Sequence, residues 1–424
     1  MTFNFNTFPD VSCRVAVVSA FALFAVGCSG ASNDPAEPAP GSEATPADSV
    51  DGPIPWLDEA LLREFNDGDL SFGTPLRVAD GLGPLYTRSS CAACHDSGVR
   101  GPGLVQKMSV VQADGVTPAE DQSKLSFGHT VHPLTAGGGR SPIVPPSGDA
   151  SIKVSTRVGP PVIGRGYLEA VSDESIERVA AVQAANGVVH GRVNYVTYAS
   201  QPNTDTRFHS YQPGDRVIGR FGLKARVATL DDFAADAFQG DMGITSPLRP
   251  NEFPNPDGLT DDDKPGIDVG YDSVNRRAMY LRLLAIPVRR TTEQGAQLFA
   301  RTGCADCHVS SLRTRADYPV AELADIDAPI YSDLLLHHMG AELADGLPAG
   351  PDTDGAAGSF EWRTAPLIGL RFNRTLMHDG RATSVESAIL AHRGDGSEAN
   401  ASVDLFDGLT SAEREALVTF VEAL

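Results

Sequence analysis

Two short cysteine motifs constrain this 424-residue chain more than any other feature. Residues 91–95 are CAACH and residues 304–308 are CADCH. Two cysteines about one helical turn apart can bond the two vinyl groups of a haem, and the histidine that follows is placed to bind the iron. The motifs therefore predict two covalently attached haem c groups. The predicted attachment residues are Cys91, Cys94, His95, Cys304, Cys307 and His308.

Zinc and a redox-active dithiol are the alternatives for these cysteines. Paired zinc motifs usually lie about 15–20 residues apart, whereas these lie at 91–95 and 304–308. A dithiol does not need the histidine that follows each motif. The flanking segments LYTRSSCAACH and LFARTGCADCH also align without a gap. Each half of the chain is therefore predicted to carry one cytochrome c unit.

The N-terminus predicts export. Arg14 precedes an apolar run at 15–26, which is too short to span a bilayer as a helix but typical of a signal peptide. Small residues then lead to Cys28, so residues 1–27 resemble a lipoprotein signal with Cys28 lipidated, although Ala25 stands where such signals usually carry leucine. An ordinary secretory signal is the alternative.

Residues 28–55 are rich in Pro, Ala, Ser and acidic residues, which predicts a disordered tether. The predicted location is the periplasmic side of a bacterial membrane, with a lipid anchor in the outer membrane as the sole membrane attachment. A formal net charge of −21 argues against a nucleic-acid surface. It favours a basic partner protein, or it serves solubility alone.

A distal ligand is predicted for the second haem. Thr383 and Glu386 have the spacing of a capping box, and the helix that follows places His392 on the same apolar side as Val385 and Ile389. Because a haem must be buried nearby, we expect His392 to bind the second iron. A hydrogen-bonded core histidine would give the same pattern.

The first half differs at the corresponding point. When 173–182 is aligned with the segment ending in His392, Ala180 takes the place of the histidine, which predicts an open or water-filled sixth position on the first iron. Other residues remain candidates for its distal ligand: Met108, His129, His132, His190 and His209. The pair in FGHTVHP (127–133) is the most suggestive of these.

Together these motifs resemble the bacterial di-haem oxidoreductases, a family also called thiol oxidoreductases and related to di-haem cytochrome c peroxidase and the methylamine-utilisation di-haem enzyme. The resemblance covers roughly 55–424. Beyond the haem motifs, it is carried by GRFGLKARVATLDDFAADAFQGDMGITSP, YSDLLLHHMG, EWRTAPLIGL and HDGRATSVESAILAH.

The resemblance implies peroxide chemistry at the N-terminal haem and electron entry at the C-terminal one. It places His392 where the peroxidases carry methionine and the methylamine enzyme carries tyrosine. Glu169 is a candidate acid–base residue, with an exposed glutamate at a helix start as the alternative. No cysteine remains for thiol chemistry.

We therefore expect a mainly α fold with two cytochrome c-like domains, at 56–285 and 286–424. The first carries an insertion in which 191–200 (GRVNYVTYAS) predicts a short strand. The expected activity is that of a di-haem peroxidase using hydrogen peroxide or another small oxidant and a small donor such as a cytochrome c or a cupredoxin. The alternatives are an electron-transfer cytochrome without its own substrate and an oxidase of a protein or organic substrate.

Overall fold

The computed structural model describes residues 50–96, 103–137, 140–258, 266–350 and 356–424. All of them belong to one compact unit, Thr45–Leu424. The predicted signal peptide, Cys28 and the tether as far as residue 49 lie outside the described residues. The helices in these ranges are too short or too polar to span a bilayer.

Helices contain the larger part of the regular secondary structure in the described residues, which supports the mainly α prediction. The division into two cytochrome c-like domains and the insertion stay predictions. The nine helices found in these ranges are α1 (Glu59–Gly73), α2 (Arg165–Ala170), α3 (Asp173–Asn186), α4 (Leu230–Met242), α5 (Tyr271–Leu283), α6 (Glu293–Arg301), α7 (Val385–Leu390), α8 (Asn400–Asp407) and α9 (Ser411–Glu422).

Ten short strands form five two-stranded antiparallel sheets in the described ranges. The longest pairs β2 with β4, and the predicted strand in 191–200 is present as β5. The other sheets are β1–β3, β5–β6, β7–β8 and β9–β10. The strands are β1 (Leu85–Tyr86), β2 (Leu104–Val110), β3 (Leu134–Thr135), β4 (Ile152–Val158), β5 (Tyr195–Thr197), β6 (Arg216–Ile218), β7 (Leu312–Arg313), β8 (Asp327–Ala328), β9 (Leu336–His338) and β10 (Glu361–Arg363).

Side-chain caps decide where several helices begin. Helix α7 starts one residue later than the sequence predicts, because Ser384 is the N-cap and exchanges hydrogen bonds with Ser387. Its hydroxyl accepts the Ser387 N–H at 3.1 Å, and Ser387 Oγ accepts the Ser384 N–H at 3.0 Å, so two otherwise unpaired donors are satisfied. The helix ends at Leu390, and His392 therefore lies on the closing turn.

The largest apolar core draws on residues from both sides of position 285, such as Ile163 and Leu335. Helices α1 and α5 pack beside it, and Gly68 permits their close approach, since a Cβ there would lie 2.7 Å from Tyr280 Cβ. A second core joins α6, α7, α8 and α9. The two haem motifs follow these packed helices closely in the chain.

Candidate functional site

The two cysteine motifs form tight turns of the same kind. In the first, the His95 N–H donates to the Cys91 carbonyl at 2.9 Å, and in the second the His308 N–H donates to the Cys304 carbonyl at 2.9 Å. The second turn starts after α6 at Gly303, whose φ of 77° is a left-handed conformation that favours glycine. In the described residues the four cysteines form no disulfide.

Both motif histidines are arranged as iron ligands are. His95 Nδ1 lies 2.8 Å from the Pro160 carbonyl, and His308 Nδ1 lies 3.1 Å from the Tyr331 carbonyl. Because a carbonyl oxygen only accepts, Nδ1 carries the proton and Nε2 keeps its lone pair for a metal. Burial lowers the pKa of each imidazole to about 4, so both are neutral at pH 7.

A cavity of about 260 Å³ lies against the second motif. Cys304, Cys307 and His308 line it together with His392. His392 Nδ1 lies 2.7 Å from the Ala388 carbonyl, so its Nε2 is also available for a metal. Burial lowers the pKa of His392, and His392 in turn lowers that of His308. The structure thus brings the predicted axial pair to one cavity.

His337 also reaches this cavity, in a cluster with Cys307 and Asp333 that has metal-ligand spacing. His337 is bound by two carboxylates, Asp333 at 2.8 Å and Glu398 at 3.0 Å. Burial lowers its pKa, but the hydrogen bonds to Asp333, Cys307 and Glu398 outweigh burial and raise the pKa to about 12. With its imidazole protonated, His337 joins Asp333 and Glu398 in a buried ion-pair network.

The first motif has a charged neighbourhood. Asp241 and Lys107 are both half-buried, and the charge of each acts on the other. The Asp241 charge acts on both Cys91 and Cys94. Burial raises the pKa of Asp241 to about 6. The positive charge of Lys107 lowers this pKa in part, and the negative charge of Asp236 raises it further. A carboxyl group of this kind can take up and release a proton near neutral pH.

Helix α4 is the N-terminal counterpart of α7. Each follows an antiparallel bridge, Phe221 with Val227 before α4 and Leu376 with Ala382 before α7. The N-caps are Thr229 and Ser384. Counting from these caps, Ala237 of α4 corresponds to His392. Alanine cannot bind iron, so α4 brings no ligand to the first haem site at this position.

Helix α3 does not take the place that the alignment through Ala180 predicts for it. Gln183 of α3 donates to the Asp306 carbonyl at 2.8 Å and to Asp333 at 2.8 Å, so α3 packs beside the second haem motif. The comparison with Ala180 therefore does not describe the first haem site. The comparison with Ala237 replaces it and leads to the same expectation of an open position.

Glu169 is buried, so the alternative of an exposed glutamate at a helix start is wrong. Its carboxylate accepts three hydrogen bonds: from Arg282 Nε at 2.6 Å, from the Tyr318 hydroxyl at 2.8 Å and from the Leu230 N–H at 2.7 Å. These partners form a buried ion-pair network that joins α2, α4 and α5. The catalytic role of Glu169 stays a prediction.

His132 is the distal candidate with the clearest link to the first haem site. Its Nε2 lies 2.6 Å from the carbonyl of Gly240, next to Asp241, and its Nδ1 is buried without a hydrogen-bond partner among the described residues. The other candidates are placed as follows: Met108 is buried in a small apolar cluster, His129 contacts the Met108 carbonyl, His190 is exposed, and His209 is paired with Asp231 at 2.8 Å.

Sequence reasoning missed Asp241, Lys107 and Ala237. The available signal was the similarity between ARVAT (225–229) and GRAT (380–383), each of which precedes a capped helix. That similarity indicates that the segments before α4 and α7 correspond, although the register of the two helices follows from their caps and not from these letters.

The chain matches the sequence model of one protein family over residues 148–424, described as "Di-haem oxidoreductase, putative peroxidase". No curated protein matches it. Among solved structures, hydrazine synthase of Kuenenia stuttgartiensis is similar at 13% identity, with 96% of this chain and 100% of that chain covered and a TM-score of 0.38.

The diheme peroxidase BthA of Burkholderia thailandensis E264 is similar at 15% identity, with 88% and 87% covered and a TM-score of 0.38. The Y463M variant of BthA gives 15% identity, the same coverage and a TM-score of 0.37. These structural overlays are too distant to bear on the assignment, which rests on the family match over more than half of the chain. The chain belongs to the di-haem oxidoreductase family and is an oxidoreductase enzyme with haem cofactors.

Proposed function

We propose that this enzyme is a di-haem c-type peroxidase. The 91–95 motif holds the haem at which hydrogen peroxide or another small oxidant is reduced, and the 304–308 motif holds the haem through which electrons enter. His95 and His308 are the proximal iron ligands, and His392 is the distal ligand of the C-terminal haem.

The difference between the two sites carries this proposal. The C-terminal cavity contains two neutral histidines with free Nε2 atoms, His308 and His392, which suits a six-coordinate electron-transfer haem. At the N-terminal site the matching helix offers Ala237 instead, and the groups nearby are Asp241, Lys107 and His132, which is hydrogen-bonded to the Gly240 carbonyl. The C-terminal site can thus supply both axial ligands of its haem iron. The N-terminal site can leave the sixth position of its iron to the substrate, beside a proton donor.

The chemistry needs two electrons and two protons for each peroxide, H2O2 + 2e⁻ + 2H⁺ → 2H2O. When bound, each haem iron supplies one-electron chemistry, so two haems in one chain suit this stoichiometry. Asp241 moves protons at its carboxylate oxygen, because its pKa of about 6 allows both protonation states near neutral pH. Burial lowers the pKa of Lys107, and its Nζ donates to Thr130 Oγ1 at 2.6 Å; in its protonated form Lys107 supplies positive charge that favours an anionic form of the oxidant.

Electrons are proposed to come from a small redox protein, a cytochrome c or a cupredoxin, that docks near the second motif. A groove there is lined by α3 and by Ala305, Asp306 and Val309. Val182 and Val188 beside it are 52% and 66% exposed, which suits a small protein contact. The net charge of −21 favours a basic donor.

We also propose a periplasmic location with a lipid anchor on Cys28, on the strength of the N-terminal sequence alone. Membrane fractionation of the full-length protein tests this, and Cys28→Ser should release it into the soluble periplasmic fraction. A Cys28→Ser protein that stays in the membrane fraction contradicts the lipid anchor.

The activity is tested with the haem-loaded protein and a reduced cytochrome c as donor. We expect peroxide turnover, with a high-spin haem signal in the oxidised or half-reduced protein. Asp241→Asn should lower kcat about 10²- to 10⁴-fold, the usual range for loss of a general acid–base group, at unchanged haem content. Asp241→Glu keeps a carboxyl group and should retain much more activity.

Each alternative activity has its own signature in the same experiment. Two low-spin haems in every redox state would mean an electron-transfer cytochrome and would sink the peroxidase proposal. A high-spin haem without peroxide turnover would indicate an oxidase of another substrate. Full turnover in Asp241→Asn would remove Asp241 from the mechanism but leave the peroxidase intact.

A further inference from the structure

Two buried arginines, Arg165 and Arg363, stand out among the residues around the C-terminal cavity. Arg165 is 6% exposed and Arg363 is 8% exposed. Arg165 opens α2, and its Nε donates to the Pro161 carbonyl at 2.7 Å. Arg363 ends β10 and donates to the carbonyls of Gly222 at 3.1 Å and Thr364 at 2.9 Å.

Neither guanidinium has a carboxylate within ion-pair distance among the described residues. Other buried arginines of this chain do have one; Arg282, for example, lies 2.6 Å from Glu169. Burial lowers the pKa of Arg165 to about 9 with a further contribution from the charge of Arg363, and burial lowers the pKa of Arg363 to about 10. The charge of Asp333 acts on Arg363 and raises its pKa in part, but no carboxylate pairs directly with either guanidinium in the described residues, and buried charges in proteins are normally paired.

The position of the pair indicates which anion is missing. Both arginines line the cavity that also contains Cys304, Cys307 and His308. Arg165 is also close to the first motif, because its Nε donates to the Pro161 carbonyl and the adjacent Pro160 carbonyl accepts from His95 Nδ1 at 2.8 Å. Arg165 therefore lies near both motifs, whereas Arg363 is placed at the C-terminal cavity alone.

We propose that Arg165 and Arg363 bind the propionate carboxylates of the C-terminal haem, and that Arg165 adds positive charge to the N-terminal site as well. The inference rests on the proposed function, because it requires a haem attached at 304–308. Guanidinium groups match carboxylates with two parallel hydrogen bonds, which a backbone carbonyl cannot provide. Propionates are the carboxylates that a haem in this cavity carries.

This arrangement affects the redox potentials. Positive charge near an iron favours its reduced form, so a buried guanidinium raises the midpoint potential of the haem beside it. Arg363→Gln should lower the potential of the C-terminal haem alone. Arg165→Gln should lower the potentials of both haems, because Arg165 acts on both sites.

The experiment is a potentiometric titration of the haem-loaded variants, followed optically at both haems. We expect about a tenfold change in the one-electron equilibrium constant, about 59 mV, for the C-terminal haem in each Gln variant. The matched control is Arg220→Gln, because Arg220 is equally buried but is paired with Asp173 at 2.6 Å and does not line the cavity. Arg220→Gln should change stability and leave both potentials as they are.

Resonance Raman spectra of the propionate bending band give a second measurement. Arg165→Lys and Arg363→Lys keep the charge but lose the two parallel donors, so they should shift this band while nearly preserving the potentials. If the Gln variants do not fold, the two Lys variants provide the test by themselves. Unchanged band and unchanged potentials in haem-loaded variants would overturn the inference and leave the peroxidase proposal standing. Wild-type protein without covalent haem by mass spectrometry would overturn both.

Discussion

The imidazole of His392 has its Nδ1 held by the Ala388 carbonyl at 2.7 Å and its Nε2 available at the cavity. His392→Ala should therefore abolish the low-spin signal of the C-terminal haem in the half-reduced protein, because the iron loses its sixth ligand. EPR and optical spectra measure this. His190→Ala, at an exposed histidine, is the control and should leave the spectra unchanged. A low-spin signal that survives in His392→Ala would disprove the assignment.

Glu169 belongs to a buried ion pair with Arg282, so its replacement should affect stability. Glu169→Gln leaves Arg282 in the interior with Asp231, at 3.2 Å, as its remaining carboxylate partner. Breaking a buried pair by removing one partner destabilises a protein by about 3–5 kcal/mol. We expect a loss near the lower end of this range in urea denaturation, with peroxide kcat per haem unchanged. A variant of normal stability with reduced kcat would instead support Glu169 as an acid–base residue.

At the scale of elements, α6 positions the C-terminal haem motif through its contact with α9. Gly295 makes that contact possible, since a Cβ there would lie 2.3 Å from Phe420 Cβ. Gly295→Ala should destabilise the protein by about 1–3 kcal/mol, the usual effect of overpacking. Gly73→Ala at the end of α1 is the control, because a Cβ there meets nothing within 4 Å. Thermal unfolding of both variants measures the difference, and equal midpoints would contradict the close helix contact.

Several helices also show which local features could be predicted from the sequence. The capping box of Thr410 and Glu413 is present at α9, and the periodicity before His392 predicts a helix that exists as α7. The start of α7 is one residue off, because Thr383 and Ser384 are adjacent hydroxyl residues that can each cap a helix, and in the structure Ser384 exchanges the capping hydrogen bonds with Ser387. The placement of α3 could not be predicted, since Gln183 binds partners more than a hundred residues away.

At the scale of the whole molecule, acid stability depends on carboxylates that are paired in the fold. Glu398 is paired with His337 at 3.0 Å. Burial raises the pKa of Glu398, but hydrogen bonds from His337 and from backbone N–H groups outweigh burial and lower the pKa to about 2. A lowered carboxyl pKa stabilises the fold above the unfolded value of about 4.3, and this stability is lost as pH falls through the folded value.

Glu398→Gln should therefore reduce the free energy of unfolding at pH 7 and lose part of the acid dependence between about pH 4.5 and pH 2. Urea denaturation at several pH values measures both effects. Glu386→Gln is the control, because Glu386 is about half exposed. If Glu398→Gln and wild type lose stability in parallel over this range, the pairing with His337 does not contribute as described.

The sequence by itself determined the two haem motifs, the family resemblance and the distal histidine candidate, because each depends on residues that are close in the chain and on fixed local geometry. The tertiary structure decided the placement of Asp241 beside the first motif and of Arg165 beside Arg363. These side chains come from distant segments, and in the sequence an aspartate or arginine on a helix looks the same whether it meets solvent or lies deep inside. Burial changes the chemistry of such groups, and burial is a property of the packed fold.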